Sequence, residues 1–117
     1  GGPLVQHAVL AILEKVKEGK IGIEKAVHKF SSAVAECFHV DDRGSIKEGY
    51  FADLVVIDPN TPYSVSKENV LYKCGWSPFE GVEFSHSIDS TYVNGKLVYQ
   101  DGKVVEGTNG MRMTFTH

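Results

Sequence analysis

From Gly44 to Asp58 the chain reads Gly-Ser-Ile-Lys-Glu-Gly-Tyr-Phe-Ala-Asp-Leu-Val-Val-Ile-Asp, a two-glycine turn feeding straight into an unbroken apolar run. Glycine reaches backbone angles closed to other residues, so Gly44 and Gly49 suit a tight reversal of the chain. Leu54 to Ile57 shows no polar alternation, which is the pattern of a strand buried on both faces. This stretch also divides the sequence: helical periodicity lies before it and strand periodicity after it.

Before the division, Leu4, Val5, Ala8, Ala11, Ile12 and Val16 recur at three and four residues, predicting a helix over 3–18 with Pro3 in its first turn. Gly19 is placed to terminate it. A second helix is predicted from Ile23 to about Phe38, with Ile23, Ala26, Val27, Phe30, Val34 and Phe38 on one face. The two form a helical hairpin with one apolar seam. Asp41-Asp42-Arg43-Gly44 is a polar turn, and the boundary between two domains is placed there, a helical segment at 1–40 and a β-domain at 41–117.

After the division, Asp58-Pro59-Asn60-Thr61-Pro62 ends the first strand, because two prolines forbid further ladder pairing. Ser66 to Asn69 has the form of a single capped turn. Val82 to Val93 is a long strand candidate, Asn94-Gly95 is a two-residue hairpin turn, and Lys96 to Tyr99 returns. Asp101-Gly102 makes a second such turn before Lys103, Val104 and Val105. The fold class expected is therefore α+β, a helical hairpin followed by a small β-rich domain.

At 117 residues the chain has room for about one domain, far short of the ~250 residues of a complete (β/α)8 barrel. Twelve basic residues against fifteen acidic ones give a net charge of −3, with no basic run to follow a phosphate backbone, so nucleic acid is not an expected partner. No apolar stretch approaches the ~18 residues of a membrane helix, and no basic-then-apolar leader is seen. Cys37 and Cys74 are distant and form no Cys-x-x-Cys, which points to reduced thiols and a cytoplasmic protein. The first residue is Gly1 and not Met, and the expectation is that it lies inside a longer gene product or follows a cleaved tag.

The five histidines, His7, His28, His39, His86 and His117, include no His-x-His and no His-Glu-x-x-His, so no metal site is expected among them. His28 reads as a solvated helix residue, and His39 as an imidazole at a helix C-terminus, where positive charge opposes the dipole. Asp53 and Asp58 stand five apart on a strand, on opposite faces, and are expected to anchor turns and strand ends, not to work as a carboxylate pair. Cys74 reads as a small buried side chain and not a nucleophile. In Tyr72-Lys73-Cys74-Gly75-Trp76-Ser77-Pro78-Phe79-Glu80-Gly81, Trp76 and Phe79 are expected to cover apolar surface while glycines and proline set the turns.

The stretch from Gly44 to Asp58 resembles the signature with which amidohydrolases of the dihydroorotase and hydantoinase group leave their metal-binding barrel and enter a small β-domain. Ser77-Pro78-Phe79-Glu80-Gly81 resembles the Ser-Pro-Phe-x-Gly segment of dihydroorotases, and Thr91 to Gly102 is similar to that family's closing hairpin. Gly1 to His7 and the helices behind it extend the likeness over nearly the whole chain. It implies the C-terminal part of a dihydroorotase: the last helices of a TIM-barrel amidohydrolase and part of a composite β-sandwich.

The parent enzyme so implied interconverts dihydroorotate and N-carbamoyl-aspartate in pyrimidine biosynthesis. One or two zinc ions, held by barrel histidines and a carboxylated lysine, activate water, and a barrel aspartate handles the proton. None of these residues has a counterpart here, so no catalytic residue, no metal ligand and no bound zinc are expected in this chain. The resemblance carries over only a backbone contact to substrate at Gly2, Pro3 and Leu4, with Leu4 standing where family members commonly have glycine. The segment Ser31 to Ala35 also lacks the Asn-Pro common at this helix step. Two other readings share the signature: a dihydropyrimidinase or allantoinase relative, and an inactive dihydroorotase-like scaffold that binds aspartate transcarbamoylase. Because the family builds its β-domain from strands at both chain ends, this chain is expected to expose a sheet edge and its helical seam, and to form a homo-oligomer.

Overall fold

The computed structural model describes residues 2–107 and 110–116. Gly1 and His117, both considered above, lie outside the described residues. A 3-10 turn, Val5–His7, runs into helix α1, Ala8–Lys17. The helix ends where Gly19 takes φ +77° and its amide donates to the Val16 carbonyl at 3.0 Å. An added Cβ at Gly19 would meet nothing within 4 Å, so conformation and not space calls for glycine here.

The predicted second helix is instead two, α2 at Ile23–Phe30 and α3 at Ser32–Cys37, with Ser31 at φ −129° and ψ −89° between them. Serine competes for local hydrogen bonds and so weakens a helix interior. Here Ser32 Oγ lies 2.7 Å from His28 Nδ1, while the Ser31 amide bonds the His28 carbonyl at 3.3 Å in an i to i−3 step. Past α3, His39 takes φ +56° and the Val40 amide reaches back to the Ala35 carbonyl at 2.9 Å. The C-terminal segment then runs alongside: Val40 bridges Phe115, and the Asp41 amide donates to the Thr114 carbonyl at 2.9 Å.

Among the described residues six strands follow: β1 Leu54–Asp58, β2 Tyr63–Ser64, β3 Glu83–Phe84, β4 Ser87–Val93, β5 Lys96–Gln100 and β6 Lys103–Val104. They form a four-stranded antiparallel sheet ordered β1-β4-β5-β6 and a separate β2-β3 pair. Both predicted hairpin turns are present, with positive φ at both central residues: Asn94 +53° and Gly95 +78°, Asp101 +50° and Gly102 +80°. That double left-handed geometry matches the twist of the flanking strands.

Three expectations are corrected. The long strand Val82–Val93 is interrupted at Ser85 and His86, because the Ser85 amide and hydroxyl both donate to the Glu14 carboxylate on α1 and leave the ladder. The run Leu54–Ile57 is not buried on both faces: β1 is an edge strand, and Val55 and Val56 remain 49% and 45% exposed. Cys74 is exposed and not buried, lying in the open loop before Trp76.

The core centres on Leu10 of α1, Val65 and Phe84, with Ala11, Tyr63, Val70, Phe79 and Ile88 packed around them. Leucine at position 10 thus joins the helical and β portions. The apolar face of α2 and α3 is different: Ala26 is buried, but Ile23, Val27, Phe30, Val34 and Phe38 are 45–63% exposed. Between that face, α1 and β1 runs an apolar groove of about 380 Å³, bordered by Ile12, Val27, Phe30, Ile46 and Leu54 among others.

Candidate functional site

The Gly44–Asp58 stretch is held by polar contacts centred on Arg43, Asp53 and Asn94, with Asn94 Nδ2 buried and unpartnered among the described residues. Asp53 accepts from Arg43 Nε at 2.8 Å through one oxygen and from the Asn94 amide at 2.8 Å through the other. The Arg43 guanidinium also reaches Asn94 Oδ1 at 3.0 Å and lies 4.1 Å above the Phe51 ring, and the Arg43 side chain is only 9% exposed. These contacts tie the turn to the β4-β5 hairpin. Gly44, at φ +90°, presses against α3, where an added Cβ would stand 2.6 Å from Ala35 Cβ. Asp58 receives the Asn60 amide at 2.9 Å and Thr61 Oγ1 at 2.7 Å, which hold its carboxyl below the usual range. Both aspartates therefore anchor turns, as their sequence setting suggests.

A second cluster forms where the N-terminal turn meets the Tyr72–Gly81 loop. Gln6 uses its backbone amide on the Tyr72 hydroxyl, its side-chain Nε2 on the Asn69 carbonyl at 2.8 Å, and its Oε1 on the Leu71 amide at 2.8 Å. Beside it His7 is 1% exposed, enclosed by Tyr63, Tyr72, Phe79 and Phe84 with ring centroids 6.0–6.3 Å away. Burial pushes its pKa below the ordinary value, so the ring is neutral at physiological pH. Ser77 Oγ, itself buried, lies 3.3 Å from His7 Nδ1 and accepts from the Phe79 amide at 3.1 Å.

The two tautomers differ in which buried donor is stranded. If His7 Nδ1 carried the proton, the Ser77 hydroxyl would accept twice and strand its own proton. A stranded donor of this kind costs about 1–3 kcal/mol. With the Ser77 hydroxyl donating to Nδ1 that contact is satisfied, and the ring proton moves to Nε2, itself a buried donor. His7 Nε2 has no partner among the described residues.

The cluster fixes the chain just past Gly2, Pro3 and Leu4. Leu4 is 47% exposed, and its carbonyl accepts from the His7 amide at 3.3 Å. Phe79 packs on the core as expected, whereas Trp76 is 49% exposed and is not part of that core. Gln6 and His7 were not singled out from the sequence. The available signal was the spacing of His7 to Leu10 and Ala11, three and four residues on, which puts it on the packed face of α1.

Elsewhere, His28 is exposed on α2 as expected, and His86 Nδ1 lies 2.9 Å from Ser85 Oγ. Glu14, Ser85 and His86 do not form a nucleophilic relay, since Ser85 sits between the other two and already donates to the carboxylate. Those Ser85 bonds hold the Glu14 carboxyl below its usual range. Among the described residues no three His, Cys, Asp or Glu side chains converge to hold a metal. This chain's described residues thus do not fit a zinc site. No described helix is long and apolar enough to cross a membrane.

Comparison with known proteins places these features. The amidohydrolase family model matches residues 3–98. A dihydroorotase of Endomicrobium trichonymphae is 37% identical over 91 residues, covering 78% of this chain and 22% of the relative. An allantoinase of Desulfitobacterium hafniense is 31% identical, covering 80% and 21%. In structure, the D-hydantoinase (dihydropyrimidinase) of a Thermus species matches at TM-score 0.78 and 28% identity, covering 88% of this chain and 23% of that one. The chain spans between a fifth and a quarter of the length of each.

Proposed function

The chain belongs to the amidohydrolase family, and from that premise we propose that it is the C-terminal part of a zinc-dependent dihydroorotase. The parent interconverts dihydroorotate and N-carbamoyl-aspartate, and this part supplies no catalytic residue and no metal ligand. Its division at residue 40 separates the last barrel helices from the β-domain. The observation that carries the reading is the Gln6–His7 cluster, which clamps the Ser77–Gly81 segment against the turn bearing Gly2, Pro3 and Leu4. In that role the loop supports a backbone stretch in which only Gly2 and Leu4 have an N–H to offer the substrate carboxylate. Two relatives named dihydroorotase, at 37% and 38% identity, stand above those named allantoinase at 31% and 32%, which supports the same substrate class, while three others named dihydroorotase lie at 27–31%.

A second reading, a hydantoinase or allantoinase parent, has its own support in the allantoinase relatives and the D-hydantoinase fold likeness. An assay of the intact protein against dihydroorotate, allantoin and dihydrouracil separates the two: preference for dihydroorotate is expected, and preference for either competitor overturns the first reading. The exposed thiols of Cys37 and Cys74 support a cytoplasmic setting. The exposed α2-α3 face and the open edge of β1 support self-association of the 117-residue chain, which light scattering at high concentration should register as a species heavier than a monomer.

A further inference from the structure

We propose that Asn94-Gly95 is a latent deamidation site, which the Arg43–Asp53 pair holds closed. Asn-Gly is the asparagine pairing most prone to this modification, because glycine has no Cβ to hinder its nitrogen from reaching the preceding side chain. In the reaction the Gly95 nitrogen loses its proton and bonds to Asn94 Cγ, the Cγ–Nδ2 bond breaks, and Nδ2 leaves as ammonia. The five-membered imide then takes up one water and opens to aspartate or to isoaspartate. Water is the co-reactant, and nothing is oxidised or reduced.

Each reacting group is restrained in the folded chain. The Gly95 N–H, whose proton has to leave for the nitrogen to attack, donates to the Ala52 carbonyl at 3.0 Å. Asn94 Oδ1 accepts from Arg43 Nη2 at 3.0 Å, and the Asn94 amide donates to Asp53 at 2.8 Å, so the residue is held by side chain and backbone together. The leaving nitrogen, Nδ2, is buried away from the water that would protonate it. Ring closure swings the Gly95 nitrogen from Ala52 towards Cγ, and so requires this left-handed corner, with φ +53° and +78°, to open. Arg43 resists that opening: its side chain is 9% exposed and its guanidinium lies 4.1 Å over the Phe51 ring. The product would not close again in the same form. Isoaspartate adds one methylene to the main chain, which breaks the two-residue geometry between Val93 and Lys96 and with it the tie from the hairpin to the Gly44–Asp58 turn.

The test incubates the intact protein at mildly alkaline pH and follows the modification by peptide mass spectrometry. Cleavage after Lys73, Lys96 and Lys103 puts Asn94 on a different peptide from Asn109, the other asparagine followed by glycine. Asn94 in the folded protein should convert at least about tenfold more slowly than in the same protein unfolded in urea. Asp53→Ala and Arg43→Ala should each speed conversion in the folded protein several-fold. Gln6→Ala, which removes hydrogen bonds elsewhere, should leave the rate unchanged. Conversion as fast folded as unfolded overturns the proposal without recourse to any variant. Equal acceleration by Gln6→Ala, or no acceleration by either Asp53→Ala or Arg43→Ala, would overturn it too.

Discussion

The Gly44–Asp58 stretch and the Gln6–His7 cluster are both small polar assemblies, yet one is built around an ion pair and the other around neutral groups. In the first, Arg43 pairs with Asp53 and both bond Asn94, which locks turn to hairpin, while Asn94 Nδ2 stays buried without a partner among the described residues. In the second, Gln6 bonds the Asn69 carbonyl and the Leu71 amide, and His7 Nε2 is likewise buried without a partner among the described residues. A charge-assisted pair is stronger than a bond between neutral groups, so the lock between turn and hairpin is the firmer of the two. Both assemblies are structural, and each ties together segments distant in the chain.

The sharpest break of this comparison is at Gly44. Gly44→Ala places a Cβ within 2.6 Å of Ala35 Cβ at a positive φ, and should cost about 2 kcal/mol or more in denaturant unfolding. Next comes the lock itself. Asp53→Ala removes both acceptors from Arg43 and the Asn94 amide and should cost ~1–2 kcal/mol, with a double-mutant cycle against Arg43→Ala showing clear coupling. In the other region, Gln6→Ala deletes two side-chain hydrogen bonds and should cost about 1 kcal/mol. Its distinguishing sign is faster hydrogen exchange at the Leu71 amide with little change at Asn94.

The smallest effect concerns Glu14, which ties α1 to Ser85. Its carboxyl pKa is lowered in the folded state, first by the Ser85 hydroxyl and then by the Ser85 amide. A lowered carboxyl pKa means stability that is fully present above the ordinary value of 4.5 and is lost as pH falls through the folded-state value. Acid titration of stability should therefore be shallower below that pH in Glu14→Gln than in the parent sequence, with little difference at neutral pH.

Local patterns revealed much of the fold. The Asn94-Gly95 and Asp101-Gly102 turns, the end of α1 at Gly19 and the strand Leu54–Asp58 are all decided within a few residues, so their residue types announce them. Contacts that span the chain were not legible in this way. Gln6 meets Leu71 across 65 residues, His7 meets Ser77 across 70, and Glu14 interrupts the ladder at Ser85 across 71. No periodicity encodes such meetings. The exposure of Val55 and Val56 has the same origin, because a run of apolar residues shows that a strand forms but not how many faces of it are covered.

We propose that this chain is a structural part, without catalytic groups, of a parent that opens dihydroorotate. The direct measurement compares dihydroorotate turnover by the intact protein and by the 117-residue chain alone, both in the presence of zinc. Turnover by the intact protein and none by the chain is the predicted result; turnover by the chain, or an intact protein inert toward dihydroorotate, would contradict it.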